Sequence, residues 1–205
     1  MDKKFYEKFW SGDSEGLGDF AFKWPKLSRF IPRETGKTIL DFGCGKGEVI
    51  GAMLKLNPDA KYMGVDVSAT AIDFAIKKYP TVPFYRIEDG GKIPIADSSV
   101  DFVFSSEVVE HIYDTENAFA ELKRIVKPGG EILITTPYHG LIKNLAIVIF
   151  GFDKHFNPTG PHVRFFSKKT LFGLIEKNGF KISDHGYYGR FYPVPHSIFV
   201  LAKKK

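Results

Sequence analysis

Thr38-Ile39-Leu40-Asp41-Phe42-Gly43-Cys44-Gly45-Lys46-Gly47-Glu48 joins an apolar run, an acid near its C-terminal end and three alternate glycines to a stretch of helical period. That order is strand, loop, helix. Glycine takes positive φ without strain and lets backbone N–H groups approach a ligand at a helix N-terminus, which is where open α/β sheets bind their ligands. The spacing is Gly-x-Gly-x-Gly, not the Gly-x-Gly-x-x-Gly of a dinucleotide fingerprint, and no Gly-Lys-Ser/Thr follows to make a triphosphate loop. Asp41 beside the loop would repel a pyrophosphate increasingly as water is excluded, so the loop favours a cationic ligand.

Outward from this loop the chain alternates short apolar runs with helical stretches, the mark of a parallel sheet. Strands are predicted at 38–42, 61–65, 83–87, 100–105 and 131–135. Helices are predicted at 48–56, at 69–78 behind the cap Ser68, and at 115–126, where Phe119, Leu122 and Val126 share a face and Pro128-Gly129-Gly130 stops the element. Asp66 ends the second strand, 25 residues after Asp41, where a carboxylate can accept both hydroxyls of a ribose; Asp89 ends the third. Ser167 caps a further helix ending at Asn178-Gly179. Two β-like runs, 180–184 and 196–202, then predict a terminal hairpin.

The 205 residues, 43% hydrophobic and 15% aromatic, fit one globular domain spanning 1–205, with 1–35 as an aromatic N-terminal cap and 137–166 as an insertion too long for an ordinary connection. The cap carries Phe5, Tyr6, Phe9, Trp10, Phe20, Phe22 and Trp24, expected over the sheet or over a ligand, with core packing the favoured role. No apolar stretch approaches the ~20 residues of a membrane span, no secretory signal opens the sequence, and lone Cys44 can form no internal disulfide, so a cytoplasmic setting is expected. Residues 1–136 carry 18 basic and 21 acidic side chains, whereas 137–205 carry 11 and 3. The apolar segment 141–152 is expected to wall the acceptor pocket or its entrance, or to meet an anionic membrane as a peripheral contact.

Taken in order, Ile39 to Glu48, Gly64-Val65-Asp66-Val67-Ser68, Glu88-Asp89, Pro94 to Val103 and Glu107 to Ile112 (EVVEHI) resemble class I S-adenosylmethionine-dependent methyltransferases over about residues 36–136. The likeness is strongest to a small-molecule branch with ubiquinone and menaquinone methyltransferases, and His162 to Ser167 continues it. The resemblance implies a doubly wound α/β fold, a seven-stranded and mostly parallel sheet whose last strand is antiparallel. It implies S-adenosylmethionine as cofactor and S-adenosylhomocysteine as product. Asp41, Gly43, Cys44 and Gly45 should then line the methionine end, Asp66 the ribose, Val67, Asp89 and Gly90 the adenine, with Ser105 and Glu107 near the sulfonium.

Methyl transfer from a sulfonium needs chiefly in-line placement, and a hydroxyl acceptor gains further from a base that titrates near neutrality. His162 is the first candidate base. His139 and His155 share its insertion, His111 is read as base or as a group that orients the following helix, and His185 and His196 as structural. Arg164 could pair with an acidic acceptor or with an acid of the protein. No metal site is expected, because 137–205 offers only Asp153, Glu176 and Asp184. The expected acceptor is a small molecule, hydrophobic or anionic: a quinol-like ring, a sugar or a lipid intermediate. Nucleic acid is not expected, since no Asn/Asp-Pro-Pro-Tyr/Phe motif follows the fourth strand and basic and aromatic residues are not interleaved. The competing readings are a non-catalytic binding or scaffold protein, an RNA or protein methyltransferase, and a dinucleotide oxidoreductase.

Overall fold

A computed structural model describes residues 3–11, 20–156, 160 and 162–205, with the side chains of Lys3, Lys4, Phe5 and Lys154 outside the description. The predicted role of Phe5 and the flanking charge of Lys154 therefore lie outside the described residues. Helices α1 (Lys3–Ser11) and α2 (Phe20–Leu27) precede an alternating series: β1 (Thr38–Phe42), α3 (Glu48–Leu56), β2 (Lys61–Asp66), α4 (Ala69–Lys78), β3 (Phe84–Arg86) and β4 (Val100–Ser106). A 3₁₀ turn at Val109–His111, α5 (Thr115–Ile125) and β5 (Val126–Pro137) follow. The insertion holds α6 (Leu141–Phe150) and α7 (Phe152–His155), and the chain continues through α8 (Lys168–Lys177), β6 (Phe180–Tyr188) and β7 (Ser197–Lys204).

The seven strands lie in the order β3-β2-β1-β4-β5-β7-β6. β7 runs antiparallel to both β5 and β6, and the pairs β1·β2, β1·β4, β2·β3 and β4·β5 are parallel. Successive side chains of a strand face opposite sides of the sheet. Leu40, Val65 and Val103 accordingly meet Phe119 and Leu122 of α5 and Leu171 and Ile175 of α8 in one core, while Ile39, Phe102 and Phe104 meet Val49, Ile50 and Met53 of α3 and Leu27 of α2 in the other. Both faces are covered, which is why these strands read as nearly continuous apolar runs.

The predicted helices at 48–56 and 69–78 are found as such, the second capped by Ser68 Oγ accepting from Ala71 N at 3.2 Å. Ser167 and Thr170 form a reciprocal capping box on α8. One boundary departs from expectation. Pro128-Gly129-Gly130 does not stop α5, which ends at Ile125; it lies inside β5, where β4 advances from Val100 to Phe102 while β5 advances from Val126 to Glu131. The extra residues bulge out of the ladder, and proline and glycine are tolerated at such a bulge because neither is needed there for ladder hydrogen bonds.

The insertion also departs from expectation. Its ends are pinned by a bridge between Tyr138 and Phe166 and by His139 N donating to Phe166 O at 2.9 Å. Between them α6 stands on the outside: Leu141 is 77% exposed, Ile149 68% and Phe150 84%. Among the described residues no helix is long and apolar enough to cross a membrane.

Candidate active site

Strand order reverses between β1 and β4, and a cavity of about 460 Å³ opens over the C-terminal ends of these strands. This is the topological switch point at which such sheets hold ligands, because the loops that follow adjacent strands diverge there. Its floor is the glycine loop. Gly43, Gly45 and Gly47 all have positive φ, and Gly43 N and Cys44 N both donate to Val65 O, at 2.8 and 3.0 Å. A Cβ on Gly45 would stand 2.6 Å from the Trp10 ring, so the loop must be bare for α1 to close over it.

Asp41, Glu48, Asp66, Glu88, Asp89, Glu107 and Glu110 all line this volume. Asp41 is buried and its Oδ2 has no hydrogen-bond partner among the described residues. Burial, with Asp66 and Glu48 nearby, pushes its carboxyl up to about 8, and Lys23 opposes the rise. Asp66 accepts from Gly45 N and Ser68 N, both at 2.9 Å, which ties the glycine loop to the start of α4. Its other lone pairs remain for a ligand, since a carboxylate offers about four acceptor sites.

Glu107, at φ 56, is one of two non-glycine residues with positive φ among the described residues. Such a backbone persists only where surroundings over-determine it. Here they do: Tyr188 Oη donates to Glu107 Oε1 at 2.8 Å, Thr135 Oγ1 to the same oxygen at 2.9 Å, and Ser197 Oγ to Oε2 at 3.3 Å. Glu110 is 1% exposed. Its Oε2 accepts from Thr136 Oγ1 at 3.1 Å, and its Oε1 has no hydrogen-bond partner among the described residues. Burial and then the charge of Glu107 push its carboxyl well above the ordinary range.

Of the cofactor residues expected from sequence, Asp41, Gly43, Cys44, Gly45, Asp66, Val67, Asp89, Gly90 and Glu107 line the cavity. Ser105 does not. It is wholly buried in the sheet, and its neighbour Ser106 takes the cavity position, because a shift of one residue moves a strand side chain to the opposite face.

The histidines separate just as clearly. His111 and His162 line the cavity with ring centroids 4.8 Å apart. His139 does not reach it: the ring is buried against His155 and Phe165, its Nδ1 lies 3.0 Å from Asn144 Oδ1, and burial draws it down to about 4. His155 packs behind it. His196, expected to be structural, lines the cavity rim, and Lys143 of α6 donates to its carbonyl at 3.0 Å. Among the described residues Arg164 pairs with no acid of the protein. Its Nε donates to Ile112 O at 2.9 Å and its second nitrogen to Tyr113 O, so it positions the turn that carries His111. Among the described residues α6 contributes none to the cavity wall and meets the rim through Lys143, so of the wall or entrance expected for 141–152 the wall is not found.

Lys23 and Glu7 could not be singled out from sequence, and the cap aromatics were expected over the sheet or a ligand only as a group. Lys23 of α2 is 1% exposed and lines the cavity among the carboxylates. Tyr6, Phe9 and Trp10 of α1 form its roof. Glu7 holds α1 there: its carboxylate accepts from Ala69 N at 2.8 Å, Thr70 N at 3.0 Å and Ser68 Oγ at 3.1 Å at the start of α4. Negative charge is stabilised at a helix N-terminus by the unpaired N–H groups and the dipole. The only sequence signal for these roles is aromatic density in the cap.

Hydrogen bonds from Thr70, Ala69 and Ser68 lower the Glu7 carboxyl from 4.5 to about 2. A depressed folded-state value means that this tether is complete above pH 4.5 and is lost as pH falls through about 2. In a Trp24→Phe background, Trp10 emission is expected to shift to the red over that window. Glu7→Ala is expected to show the shifted emission already at pH 7; an unshifted spectrum would remove the tether.

Residues 40–134 match the family described as a methyltransferase domain. A probable S-adenosylmethionine-dependent methyltransferase of Mycolicibacterium smegmatis is 31% identical over 156 residues, covering 76% of this chain and 56% of that protein. A tRNA (carboxymethyluridine(34)-5-O)-methyltransferase of Arabidopsis thaliana is 33% identical over 141 residues, 66% of this chain and 33% of its own length. This chain thus spans about half or less of these relatives. A crystal structure of an S-adenosylmethionine-dependent methyltransferase from Aquifex aeolicus superposes with a TM-score of 0.74 at 20% identity, each chain fully covered. With the glycine loop, the switch-point cavity and the antiparallel β7, these matches identify the chain as carrying a class I S-adenosylmethionine-dependent methyltransferase domain.

Proposed function

We propose that this protein transfers the methyl group of S-adenosylmethionine to an oxygen of a hydrophobic small molecule. The observation that carries the reading is a single cavity with the glycine loop, Asp41 and Asp66 at one end and Glu107, His111 and His162 at the other. The residues present fit the cofactor. The positive-φ turns at Gly43 and Gly45 bring the loop's backbone to the cavity floor, and Asp41 Oδ2, without a hydrogen-bond partner among the described residues, suits a cationic amine. Asp66 suits vicinal hydroxyls, and Val67 with Ile87 suits a flat ring.

Bound there, S-adenosylmethionine supplies a methyl group on a leaving group that is already activated. The protein's task is then placement, which can be worth ~7–11 kcal/mol when reacting atoms are held in line. Tyr6, Phe9 and Trp10 exclude water from above. His111, His162 and His196 are the histidines placed to meet an acceptor's hydroxyl, since His139 and His155 lie outside the cavity. An oxygen acceptor is also named for the Arabidopsis relative.

The hydrophobic character of the acceptor is supported by α6. Leu141, Ile142, Leu145, Val148, Ile149 and Phe150 are exposed on one short helix, which Lys143 ties to His196 at the cavity rim. Exposed apolar area of this density marks an interaction surface. The surrounding 137–205 region, with 11 basic against 3 acidic side chains, suits an anionic membrane as the source of the acceptor.

Three outcomes test this reading. Calorimetry is expected to show binding of S-adenosylhomocysteine and none of NAD, with Asp66→Ala weakening binding at least tenfold in a folded protein; charged hydrogen bonds are worth ~1.5–3 kcal/mol each. Binding in buffers of different ionisation enthalpy is expected to release close to one proton at pH 7 and none well above pH 8, because a cationic amine beside Asp41 favours the ionised carboxylate. Affinity then rises with pH up to about 8. Finally, the protein is expected to float with acidic vesicles in low salt, and Ile149→Asp with Phe150→Asp to abolish flotation while S-adenosylhomocysteine still binds. Methyl label is expected in the organic-solvent fraction of a cell extract; label in RNA instead would overturn the acceptor class.

A further inference from the structure

We propose that Glu110, His111 and His162 form a binding site for a divalent transition-metal cation, which holds the acceptor's oxygen beside the methyl donor. The inference rests on the methyltransferase reading and names what activates the acceptor. One ligand atom from each of the three residues lies within 4.8 Å of the others. Two imidazoles and one carboxylate are the donor set of zinc hydrolases and of other borderline divalent ions, with the remaining position open to water or substrate.

The state of Glu110 is an independent observation. A carboxylate that is 1% exposed keeps Oε1 without a hydrogen bond among the described residues, although Oε2 is satisfied by Thr136. Leaving a buried carboxylate oxygen unsatisfied is costly unless a cation reaches it. His111 Nε2 is 3.7 Å from that oxygen, and His162 stacks at 4.8 Å from the His111 ring. Donors around one cation at ~2.1 Å would stand about 3.4 Å apart, so the cluster must contract by roughly an ångström. His162 is exposed on the insertion and can supply that movement.

The backbone fixes the other two. Val163 N and Arg164 N both donate to Glu110 O at 3.0 Å, which sets His162 against the 3₁₀ turn of Glu110 and His111. Thr136 orients Glu110, in the way outer hydrogen bonds orient metal-binding carboxylates. The charge inventory agrees. Acidic side chains outnumber Lys23 among the described residues that line the cavity, so a cation there meets a field of favourable sign, and a bound cation favours the ionised form of the raised Glu110 carboxyl. The sequence count missed the site because it searched for carboxylates within 137–205, whereas the cluster joins His162 to residues of the β4–α5 connection.

In the proposed step the acceptor's hydroxyl coordinates the cation and loses its proton to a solvent water, since a bound divalent ion lowers the pKa of a coordinated O–H by many units. Its oxygen then bonds to the methyl carbon as the S–C bond breaks, with the electron pair remaining on sulfur. The products are the methyl ether, S-adenosylhomocysteine and one hydronium ion.

The test is calorimetric titration of the chelator-treated full chain with Zn²⁺ and, separately, Mn²⁺, in the presence of S-adenosylhomocysteine. One cation per chain is expected, with His162→Ala and Glu110→Gln each weakening its binding at least tenfold. S-adenosylhomocysteine affinity should change less than threefold in His162→Ala, an exposed position whose substitution is compatible with folding. Co²⁺ substitution is expected to give visible d–d bands that His162→Ala alters. Binding of S-adenosylhomocysteine with no cation bound, or with cation binding untouched by both substitutions, would overturn the metal site and leave the methyltransferase reading standing. Failure to bind S-adenosylhomocysteine would overturn that reading instead.

Discussion

Negative charge held out of water is the constraint on which this molecule turns. The ends of β1, β2 and β4 and the turn after β4 bring Asp41, Asp66, Glu107 and Glu110 to one cavity, where an isolated ion is costly and like charges push one another toward the neutral form. Each acid meets that cost differently. Asp66 uses backbone N–H donors and Glu107 a cage of three hydroxyls, whereas Asp41 and Glu110 each keep one oxygen without a hydrogen bond among the described residues. A site organised this way is complementary to cations, and a sulfonium with an ammonium is such a ligand.

The fold supplies that arrangement through strand order. Because β1 and β4 are neighbours with connections that leave in opposite directions, their C-terminal ends diverge and the acids that terminate them face a cleft. Two buried cores fix the strands, so the acids are positioned by Leu40, Phe104 and their neighbours on both faces. The antiparallel β7 adds something the parallel strands cannot. Its start brings Ser197 to Glu107, and its partner β6 ends at Tyr188, so the terminal hairpin completes the hydroxyl cage that holds a strained backbone at φ 56.

What was legible in the sequence follows from how local each signal is. Helices α3 and α4 could be read to the residue because amphipathic period and a preceding strand coincide within fifteen positions, with a glycine turn before the first and the cap Ser68 before the second. The glycine loop and Asp66 were legible for the same reason. Pro128-Gly129-Gly130 misled because a helix stop and a bulge use the same residues, and only pairing with β4 distinguishes them. Ser105 and Ser106 differ by one position, which strand periodicity alone cannot assign without knowing which face bears the cavity. Lys23, Glu7 and the particular place of Trp10 were beyond reach: their roles depend on how two short helices dock on a sheet far along the chain.

That docking also separates binding from chemistry. α1 rests on the glycine loop through Trp10, on His111 through Tyr6 and on α4 through Glu7, whose carboxylate sits at that helix's N-terminus. α6 reaches the acceptor end through Lys143 on the carbonyl of His196, with its apolar face turned outward. Under the proposed function the two coverings are independent: one acts through charge on the cofactor half, the other through apolar surface on the acceptor half. An acceptor drawn from an apolar phase could be admitted at α6 without lifting α1, and the water-excluded carboxylates beneath Trp10 would stay desolvated throughout. Because electrostatic interactions strengthen as water is removed, keeping that half closed while the other opens preserves the field that binds the cation.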